Sequence, residues 1–185
     1  MSIKRVTILF SGEGGNLENI IKKLHPHTIE IVAAITNNPL ANGIPKAQKL
    51  GIETIVIDHR DFKKREEFDQ ALVKIITPLN IDLAILAGFM RILTPVFTDN
   101  IKAINIHPSL LPLFKGAHAI EESFNSNMKV AGVSTHLVNS QLDSGDIIDQ
   151  VCFNKEDMDF QTFKNKITQI EHELFPKSIK KVLLL

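Results

Sequence analysis

The stretch VTILFSGEGGNL, residues 6–17, joins a short apolar run to a glycine-rich loop. Residues 6–10 are apolar or β-branched, and a run of this length is typical of a buried strand. The loop after it carries three glycines and leads into an amphipathic segment, so the chain turns sharply and then enters a helix. We therefore predict a strand over residues 6–10 and a helix over residues 16–24, the first half of a βα unit.

The same alternation continues through the first hundred residues. Short apolar runs predict strands over residues 31–36, 54–57, 83–87 and 103–106, and amphipathic stretches predict helices over residues 45–50 and 64–76. Later segments predict a helix near residues 121–125, strands over residues 132–138 and 147–153, and a helical segment over residues 160–185 that Pro176 kinks or divides. The expected fold is α/β, a mainly parallel, doubly wound (Rossmann-like) sheet with an antiparallel C-terminal edge, in a single domain of residues 1–185.

Composition limits the classes of partner. Hydrophobic residues make up 44% of the 185 residues, which is typical of a globular chain. Lys and Arg together number 21, as do Asp and Glu, so no net charge favours a nucleic-acid backbone. The apolar run over residues 6–10 is too short for a signal sequence or a membrane span. We expect a cytoplasmic protein without nucleic-acid or membrane partners, either a monomer or a homodimer, whose only cysteine, Cys152, is buried in its strand.

The glycine loop is a candidate phosphate site. It precedes a helix, so its backbone N–H groups and the positive end of the helix dipole converge on one point. Leu17 stands where a dinucleotide-binding motif needs glycine, and no Gly-Lys-Ser/Thr follows, so we expect one phosphomonoester. The alternative is structural: the glycines only permit a tight turn, and Asn16 caps the helix.

Three polar side chains suggest acyl-transfer chemistry. Asn105 and His107 lie two residues apart at a strand end, so they share one side of the chain. Asp143 lies in a polar turn that can return to the same edge of the sheet. An amide and a protonated imidazole can stabilise an oxyanion, and a carboxylate can orient the imidazole. Each residue also has a simpler interpretation, as a strand-end cap, a loop histidine and a turn former respectively.

Four segments resemble signatures of the phosphoribosylglycinamide formyltransferase family: AGFMRIL (residues 87–93), NIHPSLLP (105–112), GVSTHLV (132–138) and LDSGDII (142–148). The resemblance extends from the glycine loop to Pro176. It implies the formyltransferase fold and a transferase of one-carbon metabolism in de novo purine biosynthesis. Such an enzyme transfers the formyl group of 10-formyltetrahydrofolate, a cosubstrate, to the amine of glycinamide ribonucleotide, giving formylglycinamide ribonucleotide and tetrahydrofolate without a metal.

The resemblance also implies residue roles. The catalytic residues are Asn105, His107 and Asp143, with Asp143 raising the pKa of His107. The ribonucleotide is bound by Gly14, Gly15, Asn16, Thr168 and Glu171. The folate is bound by Arg65, Met90, Arg91, Ile92, Leu93, Asn105, Asn139, Ser140, Gln141 and Leu142. Supporting positions are His118, Ser134 and His136. The chain departs from the family at Gly15, where serine is frequent, and at Thr168, where some relatives carry glutamine.

Other functions remain possible at this stage. Methionyl-tRNA formyltransferase shares these three residues but normally carries a further C-terminal domain. Formyltetrahydrofolate deformylase normally carries a further N-terminal domain, so we expect neither in a chain of this length. A metal-dependent hydrolase could use His107, His118 and His136, but the sequence has no closely spaced histidine pair. A non-catalytic nucleotide-binding module would need the glycine loop and leave the three polar residues without a role.

Overall fold

The structure, a computed structural model, describes residues 3–185 and alternates strands with helices. In chain order its strands and α-helices are β1 (Lys4–Phe10), α1 (Gly15–Leu24), β2 (Ile29–Thr36), α2 (Gly43–Lys49), β3 (Thr54–Val56), α3 (Arg65–Ile76), β4 (Leu83–Leu86), α4 (Pro95–Thr98), β5 (Ala103–His107), α5 (Ala119–Asn125), β6 (Val130–Leu137), β7 (Ile147–Asn154) and α6 (Phe160–Leu183). Each predicted element is present, and most boundaries move by one or two residues.

The strands form one sheet in the order β3-β2-β1-β4-β5-β6-β7. Neighbours from β3 to β5 run parallel, whereas β6 and β7 pair antiparallel. The predicted fold class is therefore confirmed. The strand order reverses between β1 and β4, which makes the space above their carboxyl ends the usual ligand crevice of such a sheet.

Helices cover both faces of the sheet, which explains why its central strands are almost continuously apolar. On one face, Leu17 and Ile20 of α1 pack with Ile167 and Ile170 of α6 in one buried cluster. On the other face, the buried side of α3 and Phe97 of α4 belong to a second cluster. Both clusters place rigid packing directly beneath the carboxyl edge of the sheet.

Pro176 lies inside α6, so the prediction that it divides the helix is wrong, whereas the alternative of a kink stays a prediction. Proline lacks an N–H group, so the carbonyl of His172, four residues earlier, loses its helical donor. Two side chains of α1 replace it: Asn19 Nδ2 donates to this carbonyl at 2.9 Å and Lys23 Nζ at 2.8 Å. Because the carbonyl is satisfied and Pro176 is buried, the helix continues and is joined to α1 at that turn.

Cys152 is exposed, so the prediction of a buried cysteine is wrong. It lies on β7, the last strand of the sheet, which no further described strand covers. Most side chains of β7 are exposed or half-buried. The apolar composition of this strand therefore reflects its pairing with β6 more than burial on both faces.

None of the helices between residues 3 and 185 combines the length with the apolar character that crossing a membrane requires.

The glycine loop is fixed by close packing against α2. Gly14 has φ +71°, and a Cβ there would lie 2.7 Å from the Gly43 Cα. A Cβ on Gly43 would lie 2.5 Å from Cε2 of the buried Phe10. The tight-turn role of the glycines is thus real, and Gly14 rather than Asn16 is the helix N-cap. Substituting Gly14 would disturb the fold as well as any ligand.

We expect Gly43→Ala to lower the free energy of unfolding by about 1–3 kcal/mol, because the new methyl group must displace the Phe10 ring. Gly12→Ala is the control, since a Cβ there meets no atom within 4 Å. Urea denaturation of both variants measures the difference. Equal stabilities for the two variants would show that the Gly43 contact is not restrictive.

Candidate active site

The glycine loop and the segment after β4 meet at the carboxyl edge of the sheet. We call residues 88–94 the β4 segment. Because β1 and β4 are adjacent parallel strands, the two connections leave the sheet side by side. The Ser11 N–H donates to the Gly88 carbonyl at 3.0 Å, and the Met90 N–H donates to Ser11 Oγ at 2.7 Å. Two connections that each offer ligand contacts are thus joined through one serine.

A cleft of about 430 Å³ lies between the glycine loop and α6, and we call it the glycine-loop cleft. All five residues predicted to bind the ribonucleotide line it: Gly14, Gly15, Asn16, Thr168 and Glu171. The first N–H groups of α1 have no helical acceptor and point toward this end of the helix. The cleft therefore has the donors that an anion requires.

Glu171 supplies an unusual acid to this cleft. Burial raises the pKa of Glu171 to about 7, although the hydrogen bond from Asn16 Nδ2, at 3.2 Å, opposes the rise. The amide oxygen of the same asparagine, Asn16 Oδ1, is buried without a hydrogen-bond partner among residues 3–185. A buried polar atom without a partner costs free energy, so this oxygen is suited to a donor group on a ligand.

Asn105, His107 and Asp143, which we call the trio, come together at the end of β5. His107 Nδ1 lies 3.5 Å from Asp143 Oδ2, and His107 Nε2 donates to the Phe114 carbonyl at 2.8 Å. Both ring nitrogens therefore face oxygen acceptors, an arrangement that accommodates an imidazolium. The side chains of His107 and Asp143 are 6% and 8% exposed, so their interaction is poorly screened by water.

The surroundings of Asp143 favour its ionised form. Burial alone would raise the pKa of Asp143, but the contact with His136, the charge of His107 and the Gly116 N–H together lower it. The Gly116 N–H donates to Oδ2 at 2.8 Å. His136 Nε2 lies 3.6 Å from Oδ1, which is too long for a full hydrogen bond. The same nitrogen lies 3.2 Å from Asn105 Nδ2, so His136 contacts two members of the trio.

Two adjoining clefts flank the trio on the side of the β4 segment. The larger, about 290 Å³, includes Met90, Arg91, Ile92, Asn105, His107, Leu142 and Asp143 in its lining. The narrower, about 50 Å³, includes Arg91, Ile92, Leu93, Asn105, Asn139, Gln141 and Leu142. Together they contain eight of the ten residues predicted to bind folate. Ser140 and Arg65 line neither cleft, and Arg65 is exposed at the start of α3.

The supporting residues have different surroundings. Ser134 is buried, donates to the Ser109 carbonyl at 2.7 Å and accepts from the Leu111 N–H at 3.0 Å, so it fixes the loop after β5. His118 is exposed at the start of α5 and does not line the larger cleft. No three His, Cys, Asp or Glu side chains between residues 3 and 185 are grouped so that they could hold a metal ion.

Among the cleft residues that the sequence analysis did not assign to a ligand, His172 and Ser11 have polar side chains. His172 lines the glycine-loop cleft, where its Nε2 would lie 3.7 Å from a Cβ on Gly15. Ser11 also lines that cleft, but its hydroxyl is already used, because it donates to Asn37 Oδ1 at 2.5 Å. His172 follows Glu171 in the sequence, but the sequence alone could not show that the His172 ring faces the glycine loop.

The comparisons with known proteins agree with this arrangement. A family model described as formyl transferase matches residues 4–179. The chain belongs to the formyl transferase family. A phosphoribosylglycinamide formyltransferase of Bacillus subtilis (strain 168) is 31% identical over 98% of this chain and 95% of its own length. The crystal structure of a phosphoribosylglycinamide formyltransferase from Campylobacter jejuni is 52% identical, covers 98% of both chains and has a TM-score of 0.96.

Relatives of a second kind are much longer. The trifunctional purine biosynthetic protein adenosine-3 of Homo sapiens is 38% identical over 96% of this chain, but this formyl transferase spans only 18% of that protein. The match concerns one part of a protein with three functions. The predicted formyl transferase family is confirmed, and the relatives of similar length are named phosphoribosylglycinamide formyltransferases.

We expect Asp143→Asn to lower the kcat of this formyl transferase by at least about 100-fold, because the change removes the carboxylate beside His107. Asp143 has φ +46°, a conformation that asparagine also tolerates, so the fold should survive. Asp146→Asn, an exposed change in the same turn, is the control. Steady-state kinetics with circular dichroism test this expectation, and an Asp143→Asn enzyme as active as the control would remove Asp143 from the site.

Proposed function

We propose that the trio carries out formyl transfer from 10-formyltetrahydrofolate to the amine of glycinamide ribonucleotide. One observation supports this most strongly: the trio borders the larger cleft of the β4 segment, and this cleft shares Gly88 and Met90 with the glycine-loop cleft. A formyl donor in one cleft and a phosphate-bearing acceptor in the other would therefore meet beside His107. That juxtaposition is what a direct transfer between two bound substrates requires.

The chemistry follows from the charges at the trio. The amine nitrogen attacks the formyl carbon, a C–N bond forms, and the carbonyl oxygen becomes an oxyanion. The Asn105 amide would donate a hydrogen bond to that oxyanion, and His107, whose ring nitrogens face Asp143 and the Phe114 carbonyl, would stabilise it electrostatically when protonated. The bond from the formyl carbon to N10 of the folate then breaks, and a proton passes from the attacking nitrogen to N10, with Asp143 assisting through water. No covalent enzyme intermediate is required.

The glycine-loop cleft would hold the ribonucleotide. Its phosphate would accept hydrogen bonds from the backbone N–H groups of Gly14, Gly15 and Asn16 at the start of α1. Glu171 and Thr168, on the facing helix, would contact the ribose or the amine. Gly15 has no side-chain hydroxyl, so binding at that position depends on the backbone donors.

The clefts of the β4 segment would hold the folate. Met90, Arg91, Ile92 and Leu93 would form one wall, and the turn carrying Asn139, Ser140, Gln141 and Leu142 would form the other. Arg65 lies outside both clefts, where a cation could meet the carboxylates of the glutamate tail rather than the ring. The folate is a cosubstrate, and the chemistry above needs no metal ion.

Further aspects of the proposal concern the whole protein. We propose a single formyltransferase domain over residues 1–185, working in the cytoplasm as a monomer or homodimer on small molecules and without nucleic acid. The single sheet shared by β1 to β7 supports one domain. The balanced charge, with 21 basic and 21 acidic residues, supports small-molecule substrates over a polyanion.

Turnover of glycinamide ribonucleotide with 10-formyltetrahydrofolate tests the proposal directly. We expect His107→Ala to lower kcat by about 100-fold or more with smaller changes in both KM values, because His107 would act on charge that develops in the transition state. His27→Ala is the control, since His27 is exposed and remote in sequence from the trio. Absence of turnover by the wild-type protein would reject the proposed function, and full activity of His107→Ala would reject the mechanism.

The raised pKa of Glu171 predicts that the free energy of unfolding depends on pH. With a pKa near 7 when folded and 4.5 when unfolded, the folded protein keeps a proton that the unfolded chain loses between these values, so stability falls as pH rises through that window. Glu171→Gln should therefore be more stable than wild type at pH 8, by up to about 3 kcal/mol, and similar at pH 4.

The control for this prediction is Glu173→Gln, which changes an exposed acid on the same helix. Urea denaturation at both pH values supplies the measurement. The prediction fails if the Glu171→Gln advantage is as large at pH 4 as at pH 8. The KM for the ribonucleotide should rise in Glu171→Gln and stay unchanged in Glu173→Gln, because only Glu171 lines the cleft.

A further inference from the structure

The β4 segment has no regular secondary structure, although it forms a wall of both clefts. It begins at Gly88, which has φ +76°, and ends at Thr94, the N-cap of α4. Between residues 89 and 94, only two backbone N–H groups donate hydrogen bonds to other parts of the described chain. Met90 donates to Ser11 Oγ and Thr94 donates to Asp69 Oδ2. The segment is therefore held at its two ends by two side chains.

Asp69 holds the C-terminal end of the β4 segment through one of its two carboxylate oxygens. Its Oδ2 accepts from the Thr94 N–H at 2.6 Å and from Thr94 Oγ1 at 2.7 Å. Asp69 is 1% exposed, and its other oxygen, Oδ1, is buried without a partner among residues 3–185. Burial raises the pKa of Asp69, against the effect of the two bonds from Thr94. Asp69 does not line either cleft beside the trio, so an acid kept at this cost needs an explanation beyond the packing of α3.

The neighbouring residue of α3 supports the middle of the segment. The ring of Phe68 is stacked with Phe89 at a centroid distance of 6.4 Å, and the guanidinium carbon of Arg91 lies 5.9 Å above the same ring. Phe68 is buried and Arg91 lines both clefts. Phe68 thus contacts the middle of the β4 segment, and the next residue of α3, Asp69, contacts its end.

We propose that Asp69 is a positioning residue for folate binding, which fixes the end of the β4 segment through its double hydrogen bond with Thr94. The inference rests on the proposed function, because it takes the segment as the folate wall. Without the bond, Leu93 and Ile92 would occupy several conformations, and the folate would have to order them on binding. The ribonucleotide site, which relies on the glycine loop and α6, would be unaffected.

Thr94→Val tests the proposal with little risk to the fold, because valine has the shape of threonine and lacks the hydroxyl. We expect the KM for 10-formyltetrahydrofolate to rise roughly three- to tenfold, the effect of one lost hydrogen bond, with the KM for the ribonucleotide unchanged. Thr94→Ser keeps the hydroxyl and should restore the wild-type value. Asp69→Ala removes the acceptor for both donors and should raise the folate KM at least as far.

Thr7→Val is the matched structural control. Thr7 is fully buried on β1 and its hydroxyl donates only to the Ala33 carbonyl, at 2.9 Å, so its loss weakens the fold without touching the β4 segment. It should leave both KM values unchanged. The positioning role is overturned if Thr94→Val leaves the folate KM at the wild-type value, or if it raises both KM values together.

Hydrogen exchange of the ligand-free protein separates this inference from the proposed function. Thr94→Val should accelerate exchange at the Thr94 backbone amide, which in the β4 segment donates to Asp69, and Thr7→Val should not. Unchanged exchange in that segment would overturn the inference whatever the enzyme's activity. Failure of the proposed function would instead appear as an absence of turnover by the wild-type protein. The exchange experiment does not depend on turnover.

Discussion

The parallel pairing of β1 with β4 determines where everything else in this enzyme can act. At this pairing the strand order reverses, so the connection after β1 turns toward one face of the sheet and the connection after β4 toward the other. The two connections separate above the sheet and leave a crevice between them. Ser11 ties them together at the base of the crevice through Gly88 and Met90. Under the proposed function, two substrates on its two sides would meet without any movement of domains.

The long helix α6 completes the crevice on the side of the glycine loop. Pro176 frees the His172 carbonyl, and Asn19 and Lys23 of α1 donate to it. This contact fixes the turn of α6 that carries Glu171 and His172 against the helix whose N-terminus offers the anion-binding donors. Pro176 therefore leads to a polar contact between α6 and α1 that a helix without a proline would not need. The close approach of Gly14 to Gly43 fixes the glycine loop on the opposite side of the cleft.

Much of the fold could be predicted because it depends on local patterns, whereas the grouping of Asp143 with Asn105 and His107 was predicted from the resemblance to a family. Apolar runs and glycine turns locate the βα units, and the spacing of Asn105 and His107 on one strand places both at its end. Cys152 was mispredicted because an apolar run does not reveal that its strand is at the edge of the sheet. Asp69 was missed for a different reason: its importance arises from Thr94, a residue 25 positions away that only the tertiary structure brings near.

The surroundings of the two carboxylates at the crevice shift their pKa values in opposite directions, down for Asp143 and up for Glu171. Asp143 has its pKa lowered by neighbouring histidines and the Gly116 N–H, so it stays ionised beside His107. Glu171 has its pKa raised to about 7 by burial, so at neutral pH it is only partly charged. A phosphate close to Glu171 would raise that pKa further, since like charges disfavour ionisation. The glycine-loop cleft can therefore accept an anion beside an acid without full repulsion, while the trio keeps the negative charge of Asp143 beside His107.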